Sequence, residues 1–381
     1  MSPRLRVAAF AGANFALILV GFSALSRPTT PPVASRADTV RAVAPMDVGR
    51  AAHTATALPD GNVLIVGGFG TDETRLAGAL VFDQQSERFG VIQRPQVLRQ
   101  SHTATRLGNG TVLIAGGLGE NGQYLDSAEL YDPATRRFTP TGRMTTARSN
   151  HEAVLLDDGR VLILGGTGTG WQFLASAEIY DPGSGRFTAA GAMGEPRESH
   201  VAVKLRDGRV LVIGGHRGRG GATVISRTVE VYDPGSGRFT PTGAMATRRH
   251  KHDAVVLQDG RVLVLGGADE RDNEGVYTSV EVFDPTSGTF QAGAPMRLGR
   301  YKHRGTSVML ADGRLLLAGG APRVELYDPS TGRSTLVGSS SQLAGQFSAA
   351  ALLPRGRVLI TGGYGLGRGP RADAWVYTSS P

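Results

Sequence analysis

A short apolar run that ends in two glycines recurs along this chain. It reads VLIVGG at Val63–Gly68, VLIAGG at Val112–Gly117 and VLILGG at Val161–Gly166. Longer copies are LLDDGRVLILGG (Leu155–Gly166), KLRDGRVLVIGG (Lys204–Gly215), VLQDGRVLVLGG (Val256–Gly267) and MLADGRLLLAGG (Met309–Gly320). A glycine after Asp supplies the positive φ that a tight hairpin turn demands. The pattern therefore predicts a first strand that starts at a histidine, as in HTATAL (His53–Leu58) or HEAVLL (His151–Leu156), then the turn and a second, apolar strand. After a variable loop comes a third strand, AELYDP (Ala128–Pro133) or VEVYDP (Val229–Pro234). A turn such as GSG and a fourth strand beginning RFT complete the unit.

The glycine pairs stand at 67–68, 116–117, 165–166, 214–215, 266–267, 319–320 and 362–363, so the intervals are 49, 49, 49, 52, 53 and 43 residues. A period near 50 with four short strands per unit indicates radial blades rather than a helical solenoid. The aromatic of strand three and the Phe of strand four stand seven apart in five repeats: Phe82 and Phe89, Tyr131 and Phe138, Tyr180 and Phe187, Tyr232 and Phe239, Phe283 and Phe290. Repeat six departs, with Tyr327 followed by Ser334. Between repeats Met-x3-Arg-x2-His recurs, at Met144, Arg148 and His151, for example. The same spacing at Met46, Arg50 and His53 precedes any complete repeat, while the last repeat ends after strand three, AWVYTSSP (Ala374–Pro381). Counting back from Met46 puts Val40 where Phe138 stands before Met144. TVRAVAP (Thr39–Pro45) is thus expected to be the missing fourth strand of blade seven, removing the open edge.

These motifs resemble the kelch-repeat family, as in galactose oxidase-like propellers, over residues 38–381. This chain has Phe where that family usually has Trp. The expected fold is all-β: a seven-bladed kelch-type β-propeller closed by an N-terminal strand that completes blade seven.

Alternating strands place the Asp-Gly turns on one face and the Arg-x2-His segments, with the loops after each glycine pair, on the other. The first face is regular and the second varies, so the second is the expected binding face. From the second glycine to the strand-three aromatic is 14 residues in blades one, two, three and seven, 17 in blade four, 16 in blade five and 7 in blade six. A notch is expected near blade six, walled by His216–Arg227 and Ala268–Ser279. Arg50, Arg99, Arg148, Arg197 and Arg249 are expected around the central mouth, either serving the repeat or contacting a ligand. The resemblance implies that such an arginine can hold a sugar or an anionic group, because guanidinium is a fixed fork of donors. Residues that break the repeat are further ligand-binding candidates: His216, Arg217, Arg219, Trp171, His250 and Tyr277. In blade six the register slips by two, since Arg300 and His303 keep their spacing but Gly305 takes the place set by the turn.

Composition adds limits. The chain has 381 residues, 54 of them glycine, which suits many short strands and tight turns. The formal net charge is +8, from 41 basic and 33 acidic residues, yet the bases are interspersed with acids and form no tract of the kind that binds nucleic acid. Only Lys204, Lys251 and Lys302 are lysines. The absence of cysteine removes disulfides, thiolate metal sites and a Cys nucleophile. At the N-terminus Arg4 and Arg6 precede the uncharged run Val7–Leu25. Residues 1–26 read as a signal peptide or a signal anchor, and 27–37 as a Pro/Thr-rich linker. Both readings place the rest of the chain outside the cytoplasm, whether secreted, periplasmic or at the cell surface and anchored through residues 7–25.

The chemistry of the resembled oxidases needs a Tyr cross-linked to Cys and a Tyr-His dipeptide, and this chain has neither. The glycine-rich stretches lie in no βαβ unit, and Gly-x-Ser-x-Gly is absent at any strand-to-helix elbow. No cofactor, metal or catalytic residue is assigned. The expected function is an exported, non-enzymatic, monomeric scaffold that binds a glycan, a cell-envelope component or a protein through its loop face. The alternative is a carbohydrate-active enzyme, sugar oxidase-like or sialic-acid-epimerase-like, on the same face.

Overall fold

The computed structural model describes residues 38–70, 78–338, 345–365 and 369–379. The leader expected over 1–26 and the linker over 27–37 lie outside them. Seven four-stranded antiparallel sheets form the blades, six of them built from strands in chain order. In the seventh, Thr39–Ala42 pairs with Ala374–Thr378, and Val40 faces Tyr377 across the ladder. That is the register expected from counting back from Met46. The first strand of the described residues therefore closes the propeller.

Burial changes across each blade, and the sequence follows it. Second strands such as VLIL (Val161–Leu164) are buried at every position. Each lies between two neighbouring blades, so both faces meet protein and the apolar run is continuous rather than alternating. Outer strands such as TVRA and RFTP leave most positions exposed. The core is a series of layers between adjacent blades. One joins Leu64 and Val66 of blade one to Val112, Ile114, Tyr131 and Phe138 of blade two. The aromatic pairs seven apart are direct cross-strand neighbours, with Tyr131 opposite Phe138 and ring centroids 4.9 Å apart.

The glycine pairs have a backbone reason. Gly116 and Gly117 have φ of 63° and 101°, in the left-handed region. A Cβ on Gly116 would lie 2.6 Å from the carbonyl oxygen of Arg148 in the next blade. The Gly117 N–H donates to that same oxygen at 2.8 Å, so the pair forms a joint between blades. Among the described residues no helix is long and apolar enough to cross a membrane.

Candidate functional site at the channel mouth

The repeated arginines do not ring the mouth as expected. Arg50, Arg99, Arg148, Arg197, Arg249 and Arg300 are at most 1% exposed and lie inside their blades. In blade three Arg148 Nη1 donates to the carbonyls of Gly165 and Ser176, each at 3.0 Å, and Nη2 donates to Glu178 at 2.9 Å. Glu178 also accepts the Thr145 N–H at 2.7 Å, fixing the loop that leads into the blade. Arg99–Glu129, Arg197–Glu230, Arg249–Glu281 and Arg300–Glu325 repeat the pair at 2.6–3.2 Å. Blade one has Leu80 in the Glu place, and Asp47 takes Arg50 at 2.8 Å instead. These guanidinium groups hold blades one to six to their preceding loops. Buried and paired in this way, they present no donor to a ligand at the mouth.

Of the two residues between each arginine and its histidine the second forms the rim, and Phe347 holds the same place in blade seven. Ala52, Ser101, Asn150, Ser199, Lys251, Lys302 and Phe347 all have φ of 51–54°. Their backbones are linked head to tail around the axis. Ser101 N–H donates to the Ala52 carbonyl at 3.2 Å and Asn150 N–H to Ser101 at 3.0 Å. Lys251 N–H donates to Ser199 at 2.9 Å, Lys302 to Lys251 at 2.8 Å, Phe347 to Lys302 at 2.9 Å and Ala52 to Phe347 at 3.1 Å. A non-glycine residue in this conformation costs on the order of 1 kcal/mol, so the rim is held against local preference by this chain of bonds.

Inside the rim lies a cavity of about 300 Å³, lined by the rim residues and the upper ends of the inner strands. It sits on the axis, not in a notch beside blade six. Its walls carry small apolar groups and hydroxyls, Ala55, Ala104, Thr56 and Thr105 among them. The cations are on one side. Lys251 Nζ meets both oxygens of Asp272, at 2.7 and 3.0 Å. Lys302 Nζ donates to the Tyr364 hydroxyl at 3.1 Å and lies 4.9 Å from the Tyr301 ring centroid and 5.3 Å from that of Phe347.

The layer below is formed by the residue after each rim-proximal His or Ser: Thr54, Thr103, Glu152, Val201, Asp253, Arg304 and Ala349. Here the two-residue slip of blade six has its effect. The extra residues turn back on themselves, with Thr306 N–H donating to the His303 carbonyl at 3.0 Å and Gly305 at φ 71°. Buried Asp253 accepts the N–H groups of Gly305, Thr306 and Ser307 at 2.9–3.2 Å and so cradles the bulge. Arg304 is thereby sent across the channel to blade three. It donates to the His151 carbonyl at 3.0 Å and to Glu152 Oε1 at 3.1 Å. Burial pushes the Glu152 carboxyl up to about 7, against the opposing pull of Arg304.

The channel histidines are buried and held neutral. Desolvation and then the neighbouring arginine bring His53 and His303 down to about 3. His102 Nε2 meets Thr54 Oγ1 at 3.1 Å and His151 Nε2 meets Thr103 Oγ1 at 3.0 Å. His200 and His252 have no hydrogen-bond partner at either ring nitrogen.

The remaining candidates lie on the surrounding loops, and none lines the cavity. His250 and His216 meet Nδ1 to Nδ1 at 3.2 Å just behind the rim, and His250 Nε2 is 3.1 Å from Asp272. Arg217 is 3.5 Å from Glu195. Arg219 stacks 3.4 Å over Trp171, which is half exposed at φ 64°, and Tyr277 covers Arg249 at 5.6 Å. The sequence reading missed Lys251, Lys302, Arg304 and Glu152. Their signal was present: two of the three lysines share one repeat position, and Arg304 stands inside the register slip. Among the described residues no group of three or more His, Asp or Glu is placed to hold a metal ion.

Comparison with known proteins agrees with this architecture. A fungal alcohol oxidase of the AA5 family, solved in complex with copper, is 17% identical with a TM-score of 0.67, over 89% of this chain and 75% of that one. YjhT is 13% identical with a TM-score of 0.59, over 89% of this chain and 99% of that one. At these identities the likeness is one of fold alone. No curated protein sequence matches the chain. The family profile described as the KLHDC2/KLHL20/DRC7 Kelch-repeats domain matches residues 101–320, more than half of the 381. With seven blades closed by the first strand, the chain belongs to the kelch-repeat family.

Proposed function

We propose that this propeller is an exported, non-enzymatic binding scaffold. Its channel mouth takes an anionic group carried by a glycan, a cell-envelope component or a protein. The observation that carries the reading is the one-sided rim: its two cations, Lys251 and Lys302, are neighbours on blades five and six, the other rim positions are Ala, Ser, Asn, Ser and Phe, and Arg304 of blade six lines the same cavity. Lys302 is the pivotal cation, because its partners here are neutral hydroxyl and aromatic groups rather than a carboxylate. Binding in general accords with the kelch family, whose propellers serve broadly as protein-binding domains. Export rests on Arg4 and Arg6 ahead of the uncharged run 7–25.

A screen of acidic glycans and acidic peptides against residues 36–381 tests the site. Loss of a charge-assisted contact costs about 1.5–3 kcal/mol, so Lys302→Ala should weaken any hit by about tenfold or more. Arg160→Ala, on the opposite turns and paired with its own Asp158 at 2.7 Å, should leave it unchanged. Equal loss from both variants, or loss only from Arg160→Ala, would overturn the assignment. A reporter active only outside the cytoplasm, fused after Pro381, tests export, and its silence refutes that part.

The carbohydrate-active alternative has one observation in its favour. Glu152 is a carboxyl raised to about 7 in a cavity that also holds unpartnered His200, a combination suited to proton transfer. Chemical change of a bound sugar, followed by NMR and lost in Glu152→Gln, would favour it over simple binding.

A further inference from the structure

We infer that anion binding at the channel mouth is coupled to the uptake of one proton by Glu152, with Arg304 as the moving part. The inference rests on the mouth being the binding site and adds the mechanism by which it fills.

Arg304 and Glu152 differ in freedom. Arg304 is a long side chain on a two-residue bulge, with 35% of it exposed on the cavity side. Glu152 is a short side chain on the inner strand of blade three, 11% exposed. An anion that descends past Lys251 and Lys302 therefore meets a guanidinium able to turn toward it, and a carboxylate unable to follow. Arg304 would exchange one anion for another. Glu152 would then be a buried charge without a counter-ion, repelled by Asp253 of blade five, with the neutral histidines His102 and His200 lining the same cavity. A buried unpaired carboxylate is removed by protonation, and the proton comes from solvent through the open mouth.

A place is already built for that proton. In blades one and two the residue after the histidine is Thr, and its hydroxyl meets the histidine of the next blade: Thr54 with His102 and Thr103 with His151. In blade three that position is Glu152, and the histidine of the next blade is His200, buried with both ring nitrogens unpartnered. A neutral Glu152 has an O–H to give to His200, as the two threonines have. The ionised form instead pairs with Arg304. The site thus has two complete arrangements: Glu152 ionised on Arg304 with the mouth empty, or Glu152 neutral on His200 with Arg304 on the anion.

Titration calorimetry decides this, with glucuronate and succinate as probes, in HEPES and in Tris, which differ in ionisation enthalpy. The expected result is an uptake approaching one proton per anion bound above pH 7, with affinity falling by up to about tenfold per pH unit. Glu152→Gln should remove both the uptake and the pH dependence. Glu152→Thr, which restores the residue of blades one and two, should do the same and guards against a Gln variant that fails to fold. Arg304→Gln should weaken binding by about tenfold or more. Binding without proton uptake overturns the coupling and leaves the site standing. Uptake that persists in both Glu152 variants assigns the proton elsewhere and also overturns it. If neither probe binds, the mouth is not an anion site and both readings fall.

Discussion

The arginines show how much one residue's meaning depends on its partner. Five copies of Arg-x2-His invite a reading as ligand donors, yet each arginine has a carboxylate waiting in its own blade, or in the preceding loop in blade one. The partner was legible in the sequence as the Glu of AELYDP. Blade seven confirms the logic by its exceptions, since it has Gly345 in the Arg place and Trp375 in the Glu place. Breaking such a pair leaves a buried charge uncompensated and costs about 3–5 kcal/mol. Glu178→Ala should therefore lower the unfolding free energy by that amount in denaturant melts. A loss below about 1 kcal/mol would mean that Arg148 finds water or another acceptor. Lys302 and Arg304 were not legible as a pair of site residues. They are two apart in the chain, but only the bulge at Gly305 and its cradle on Asp253 turn them into one site.

Strands, turns and their count were written plainly, because a propeller repeats the same burial problem seven times. The aromatics seven apart mark a cross-strand pair joined by a fixed turn, so the register follows from spacing. Closure followed from arithmetic alone, and Val40 stands opposite Tyr377. The closing strand has more than its ladder: Asp38 accepts from Arg314 at 2.9 Å and from the Tyr377 hydroxyl at 3.0 Å, and Met46 behind it is 3% exposed. Burial of Met46 alone contributes about 1.5–3 kcal/mol. A protein that starts at residue 47 should be less stable than one that starts at 36 by more than about 3 kcal/mol, with a lower melting temperature. Equal melting would show that the ring does not need this strand. Loops were the least legible elements. Their lengths suggested a notch at blade six, whereas the cavity is set by the inner strands and lies on the axis.

At the scale of the molecule, the channel makes the fold sensitive to acid. Six histidines line its neck in the neutral form: His53 and His303 at about 3, and His102, His151, His200 and His252 well below their ordinary value. The unfolded chain protonates them below pH ~6.5, while the folded chain keeps all six neutral well below that, His53 and His303 until about 3. Between those values the unfolded state binds more protons, so stability falls as pH falls, by up to about 1.4 kcal/mol per pH unit for each histidine. Buried Glu152 and Asp253 act in the opposite sense, since their values are raised in the fold, but they are two against six. The melting temperature should be flat near neutrality and drop steeply between pH 6.5 and 5. No change down to pH 5 would mean that the neck histidines are already charged.

The hoop of amides at the mouth separates the path of the chain from the choice of side chain. Six of its links are N–H to carbonyl bonds between residues of adjacent blades, and none involves a side chain. Each blade therefore contributes one position whose backbone is fixed and whose chemistry is open; at present these hold Ala, Ser, Asn, Ser, Lys, Lys and Phe. Variation at seven such positions multiplies rather than adds, because a side chain that tolerates the left-handed backbone at one can be combined with any such side chain at the others. On the binding role proposed for the mouth, a change of ligand would need only substitutions at the rim, without rebuilding a loop.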